Sequence, residues 1–155
     1  TRETNVDVRP AEVDCAGLSL FSVAHPGGRN NFTGEVGFQL TPIREVAVTH
    51  LGRPVRSSSG LIKQTLTVRL WSASTHAVVA SADVGPDAPM DGHYHYTALD
   101  SPVTLCAGQA YRLTQSCTSG MHDQWQDSGN HSSAFVAGEH FQFQGGVYGG
   151  RGQYP

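Results

Sequence analysis

Apolar residues recur at every second position through most of this chain. Val36, Phe38 and Leu40 alternate with Glu35, Gly37 and Gln39. Val46 and Val48 alternate with Glu45, Ala47 and Thr49, and Leu66, Val68 and Leu70 with Thr65, Thr67 and Arg69. Tyr94 and Tyr96 alternate with His93, His95 and Thr97, and Tyr111 and Leu113 with Arg112 and Thr114. A strand turns successive side chains to opposite faces, so this period describes strands with one apolar and one wet face. No stretch carries the 3.6-residue stripe of an amphipathic helix. An antiparallel sheet with one solvated side is the architecture that fits.

Turn chemistry separates the runs: HPGGRNN at 25–31, Thr41-Pro42, the 53–60 loop, Ser74-Thr75-His76, the 85–92 loop and Ala107-Gly108-Gln109. Residues 65–72 and 77–84 read as a hairpin. Eight or nine short strands at this spacing predict an all-β fold. It is an antiparallel two-sheet β-sandwich, jelly-roll-like, with extended N- and C-terminal segments. Only 15% of the residues are charged, against a usual ~25%, which excludes a highly charged disordered chain. The net charge is −3 and the basic residues are dispersed, so no nucleic-acid partner is expected. No apolar run approaches ~20 residues, and no membrane insertion is expected.

The domain is expected over 15–137, flanked by an extended segment at 1–14 and a Gly- and aromatic-rich segment at 138–155. In the first, Val6 and Val8 alternate with polar residues and Pro10 would end a pairing, the pattern of a strand donated to another sheet. The closing GGVYGGRGQYP is expected to dock rather than fray. Thr1 is not an initiator Met, and a leader removed before it is the expectation.

Candidate chemistry is sparse. His93 and His95, one residue apart on a strand, share a face and have the spacing of two metal ligands, with Asp91, His122 or Asp123 as a third. No second cluster at fixed spacing supports them, and a polar outer face for the HYHY strand is the expectation. Asp83, Asp87, Asp91 and Asp100 are spread over loops without the spacing of a calcium site and read as solvated turn acids. Cys117 and His122 lack an orienting third group, and no Gly-x-Ser-x-Gly elbow occurs. No metal, no cofactor and no catalytic activity are therefore expected. Trp125 with Gln124 and Asp127, in the loop MHDQWQDSG, is the candidate platform for a sugar ring.

The three cysteines are Cys15, Cys106 and Cys117. If 102–106 and 110–117 form a hairpin turning at 107–109, Cys117 lies roughly 20 Å along its strand from Cys106, at ~3.3 Å per residue. A disulfide requires Cα atoms within about 7 Å. A Cys15–Cys117 bridge is the expectation, with Cys106 left free. Two sequons, Asn31-Phe32-Thr33 and Asn130-His131-Ser132, lie in polar loops and mark Asn31 and Asn130 as candidate glycan acceptors. Cysteines, sequons and a single lysine together favour a secreted protein.

The central stretch resembles an extracellular family known as a domain of unknown function, which recurs in secreted bacterial proteins beside immunoglobulin-like and sugar-related modules. The matching pieces run in order over residues 18–117. They are SLF at 19–21, GEVGFQL at 34–40, VAVTHLG at 46–52, LTVRLWSAS at 66–74, HAVVASADV at 76–84, HYHYTAL at 93–99 and PVTLCAGQAYRL at 102–113. The resemblance implies a β-sandwich and an extracellular location, and brings no catalytic residue with it. The chain departs from the family pattern in its cysteines, in HYHY where the family has a Trp-containing segment, and at both ends.

Together these readings predict a non-catalytic extracellular structural protein. It would self-assemble with copies of itself, head to tail, by strand addition through a terminal segment, and carry covalent glycans. At the level of architecture this is similar to donor-strand pili and glycosylated extracellular fibrils. A carbohydrate-binding module is the alternative.

Overall fold

The computed structural model describes residues 21–23, 29–54, 62–92, 94–123, 135–137 and 140–155. Among these the chain forms strands and turns and no helix. In chain order the strands are β1 (Phe21–Val23), β2 (Gly34–Pro42), β3 (Val46–Pro54), β4 (Leu66–Ser72) and β5 (Val78–Val84). They continue as β6 (Met90–Asp91), β7 (Tyr94–Leu105), β8 (Tyr111–Cys117), β9 (Phe135–Ala137) and β10 (Phe141–Gly149). One antiparallel sheet has the order β10-β2-β8-β4-β5 and a second has β3-β7-β6; β1 and β9 pair separately. The two larger sheets make the expected β-sandwich.

The alternation places the core. Phe38 and Leu40 of β2, Val68 and Leu70 of β4, Val84 of β5, Tyr111 of β8 and Phe141 of β10 turn inward from the five-stranded sheet. They meet Val48 and Leu51 of β3 and Leu105 of β7, with Ile62 from the adjoining loop. At about 25 cal/mol per Å² of apolar surface removed from water, this cluster is the main source of stability. The expected hairpin is present: β4 runs antiparallel to β5, and the Ser72 amide donates to the Ala77 carbonyl at 2.9 Å across the turn.

Three expectations are corrected. First, the segment set apart from the sandwich at 138–155 contributes a strand to it: β10 pairs with β2 from Phe141↔Pro42 to Gly149↔Glu35 and forms one edge of the larger sheet, β5 being the other. Its Phe143 ring packs 5.7 Å from that of Phe38. Second, 102–106 and 110–117 are not a hairpin. β7 belongs to the small sheet and β8 to the large one, so residues 106–110 carry the chain from one layer to the other. The Cys106 amide donates to the Tyr111 hydroxyl at 2.9 Å at this crossing.

Third, the HYHY strand has the opposite phase. His95 is 1% exposed and faces inward, and Tyr94 and Tyr96 lie on the outer face. Position 95 is opposite Arg53, and position 96 opposite Gly52. The Tyr96 ring lies over Gly52, where a β-carbon would come within 2.5 Å of it. Glycine on β3 makes room for an outward ring, and a buried arginine on β3 gives the inner face a polar neighbour. Both conditions belong to the partner strand, not to the HYHY sequence.

Candidate functional site

The outer face of the five-stranded sheet holds a buried carboxylate. Glu35 of β2 is 0% exposed although it points away from the core. One guanidinium nitrogen of Arg69, from β4, lies 3.0 Å from each of its oxygens. From β8 the hydroxyls of Thr114 and Ser116 donate to it at 2.9 and 2.5 Å. Trp71 donates its indole N–H to the Thr114 oxygen at 2.9 Å, completing a relay from β4 through β8 to β2. Strand register brings these groups together, since Arg69 is opposite Thr114 and Ser116 is opposite Glu35. A buried carboxylate is tolerable only when its lone pairs are used in this way.

Residues 150–155 cover the cluster. The chain leaves β10 at Gly149 and turns back, with the Gln153 amide donating to the Gly150 carbonyl at 3.0 Å. Arg151 donates to the Cys117 carbonyl at 3.0 Å and to the Thr118 hydroxyl at 2.6 Å. Gly152, at φ +67, donates its amide to Glu35 at 3.3 Å. Tyr154 is clamped: the His76 ring stacks on it at 3.9 Å, the Arg112 guanidinium lies 4.5 Å from its centroid, and Trp71 meets it nearly edge-on at 6.0 Å. The alternation assigned this sheet face to solvent. The one signal for its burial was the aromatic composition of the closing residues.

A second polar cluster lies between the sheets. Arg53 of β3, 1% exposed, pairs with Asp123 at 3.0 Å. It also donates to the Val84 carbonyl at 2.9 Å, the Gln64 carbonyl at 2.5 Å and the Gln115 side chain at 3.3 Å. Asp123 further accepts the amides of Lys63 and Gln64 at 2.7 and 2.8 Å, so its oxygens are committed. Burial lowers the Arg53 pKa, and the Asp123 carboxylate opposes that shift. Burial likewise raises the Cys117 pKa, opposed by its hydrogen bond with Gln115. His95 Nδ1 lies 2.7 Å from the Ala88 carbonyl oxygen, while its Nε2 has no hydrogen-bond partner among the described residues.

The structure does not assemble the sequence-derived chemistry. His95 is in the core beside Arg53, Asp123 holds that arginine, and His122 and Asp91 are exposed. His93 lies outside the described residues. Among the described residues no group of three or more His, Cys, Asp or Glu side chains could hold a metal. Asp83 accepts the Thr67 hydroxyl at 2.7 Å, and Asp87 and Asp100 are exposed. Cys106 and Cys117 are both free thiols, the first exposed and the second buried. The expected Cys15–Cys117 bridge involves Cys15, which lies outside the described residues; among the described residues the Cys117 sulfur is held against Gln115. Asn31 is exposed, as a glycan acceptor must be. Cys15, Val6, Val8, Gln124, Trp125, Asp127 and Asn130 lie outside the described residues.

Two further surfaces bear on function. β3 pairs only with β7 among the described residues, leaving the other side of a nine-residue strand as a sheet edge. On the outer face of the same sheet the Tyr94 and Tyr96 rings lie 5.7 Å apart with planes 24° from parallel, and the His50 ring stands edge-on to Tyr96 at 6.4 Å.

Fold and surfaces define an antiparallel β-sandwich with one polar cluster, around Arg53, between its sheets and another, around Glu35, on the outer face of the larger sheet. No protein-family model, no curated protein and no solved structure matches the chain.

Proposed function

We propose that this protein is a non-catalytic extracellular structural protein that assembles with copies of itself by strand addition. The observation that carries the reading is the edge of β3. It is nine residues long and unpaired on one side among the described residues. The irregularity in its pairing falls mainly on β7, where four residues, 99–102, stand against the single Thr49 of β3, and β3 remains one continuous strand. Both edges of the larger sheet carry a bulge, β10 between Phe143 and Gly146 and β5 at Val79, and bulges protect edges from pairing. The small sheet has three strands against five, so an added strand would extend its cover of the core. The segment ETNVDVRP, with Val6 and Val8 on one face, has the length and alternation of such a donor. A head-to-tail contact of this kind builds a filament wherever its rotation does not close into a ring.

Surface glycans on Asn31 and Asn130, and the resemblance to a secreted domain family, belong to the same reading. The test is deletion of residues 1–12 followed by light scattering and electron microscopy. The intact chain is expected to form fibres or large oligomers and the truncated chain to stay monomeric. A truncated chain that assembles as before rules the donor out.

The paired rings of Tyr94 and Tyr96 favour a carbohydrate-binding module as the second reading. Flat aromatic faces on a sheet suit the apolar face of a pyranose. Gln124, Trp125 and Asp127 are the sequence candidates for the same activity. Calorimetric titration of the monomer with polysaccharides, repeated with Tyr96→Ala and Trp125→Ala, separates the two readings.

A further inference from the structure

Residues 150–155 are held as a ligand is held. They belong to no strand ladder, and their own turn is closed by the Gln153–Gly150 bond. Each anchoring contact selects a residue type. Position 151 must reach the Cys117 carbonyl and the Thr118 hydroxyl together, which suits a long multi-donor side chain. Position 152 has φ +67, which favours glycine, and its amide points at the Glu35 carboxylate. Position 154 fills a clamp of imidazole, guanidinium and indole, which suits an aromatic ring. The receptor side is built before the segment arrives: Glu35 is fixed by Arg69, Thr114 and Ser116, and Trp71 by Thr114. The tether to β10 is Gly149-Gly150.

We infer that the outer face bounded by Glu35, Trp71, His76, Arg112 and Thr118 is a peptide-recognition site for an Arg-Gly-x-Tyr sequence, and that its partner is the 150–155 segment of a second copy of this chain. None of the anchoring contacts depends on β10 pairing with β2, so a segment arriving from another copy satisfies all of them. The chain's own segment competes at an effective concentration on the order of millimolar, as short flexible tethers give. Exchange between copies is therefore governed by local chain density. This inference stands apart from strand addition at β3, because it concerns the other sheet.

The test uses a fluorescein-labelled peptide GGRGQYP and the full chain carrying Arg151→Ala and Tyr154→Ala, read by fluorescence polarisation. The peptide is expected to bind the variant at least about 10-fold more tightly than the wild-type chain, whose site is already filled. A peptide with alanine at the tyrosine position is expected not to bind. A folded variant that ignores the peptide, binds both peptides alike, or binds no better than wild type overturns the inference. If the variant does not fold, the chain ending at Gly150, whose site is vacated, is photo-crosslinked to the peptide carrying benzophenone at the tyrosine position. Adducts at Trp71, His76 or Arg112 support the site, and adducts only elsewhere, or none, overturn it. Peptide binding by a chain that forms no fibres would sustain this site and sink the assembly reading.

Discussion

Tyr154 lies flat against His76, with ring centroids 3.9 Å apart and planes within 7° of parallel. The two residues come from opposite ends of the fold: one from the β4–β5 turn, where His76 adopts φ +62, and one from the closing segment. Their contact lids the Glu35 cluster. Replacing Tyr154 by alanine removes a stacked pair and a cation–π contact, together worth about 1–2 kcal/mol. The expected outcome is a lower midpoint in urea and a red shift in Trp71 emission, assigned by comparison with a Trp71→Phe control. Unchanged emission would mean that the segment does not cover Trp71.

Glu35 is the strongest test of that outer face. Glu35→Ala leaves Arg69 and two hydroxyls without their acceptor in a covered site, and a loss of about 3–5 kcal/mol is expected. Arg69 is 22% exposed and recovers part of its hydration. A double-mutant cycle with Arg69→Ala should therefore give a coupling smaller than the single Glu35 loss.

The Arg53–Asp123 pair is more deeply buried, at 1% and 6%. Arg53→Met leaves the carboxylate uncompensated and is expected to cost about 3–5 kcal/mol in denaturant unfolding. Arg53→Met with Asp123→Leu removes both charges and should recover a large part of that loss. No recovery would show that the arginine's bonds to the Val84 and Gln64 carbonyls matter more than the ion pair.

The thiols should differ sharply in reactivity. Cys106 is exposed and Cys117 buried. Under native conditions a maleimide is expected to modify Cys106 within minutes, and Cys117 only on unfolding.

Burial raises the pKa of Cys117 above its ordinary 9.0 and that of Tyr94 above its ordinary 10.0. The unfolded chain loses these protons first. Their contribution is thus complete below the ordinary values and is lost as pH climbs above them. Stability measured by urea unfolding should fall as pH rises from about 9, and Tyr94→Phe should flatten the upper part of that slope. A flat profile between neutral pH and pH 11 would contradict the burial of both groups.

What the sequence determined is local. A period of two over Val36–Leu40, Leu66–Leu70 and Tyr111–Leu113 can be satisfied only by strands with one apolar face, and the turn residues between them set the strand spacing. From that, a two-sheet antiparallel sandwich followed, and with it the core positions Phe38, Leu40, Val48, Val68, Leu70 and Tyr111. The phase of a strand is not local. The Tyr94–Tyr96 alternation is equally regular with either face inward, and Arg53 and Gly52 on the neighbouring strand decided it. Whether a polar face stays wet is not local either. Glu35, Thr114 and Ser116 read as a solvated face, and only the return of residues 150–155 buries them. Alternation records which residues share a face, a property of the backbone alone. What covers that face depends on chain segments as far off as Gly152 is from Glu35, 117 positions away, and only the tertiary structure brings those together.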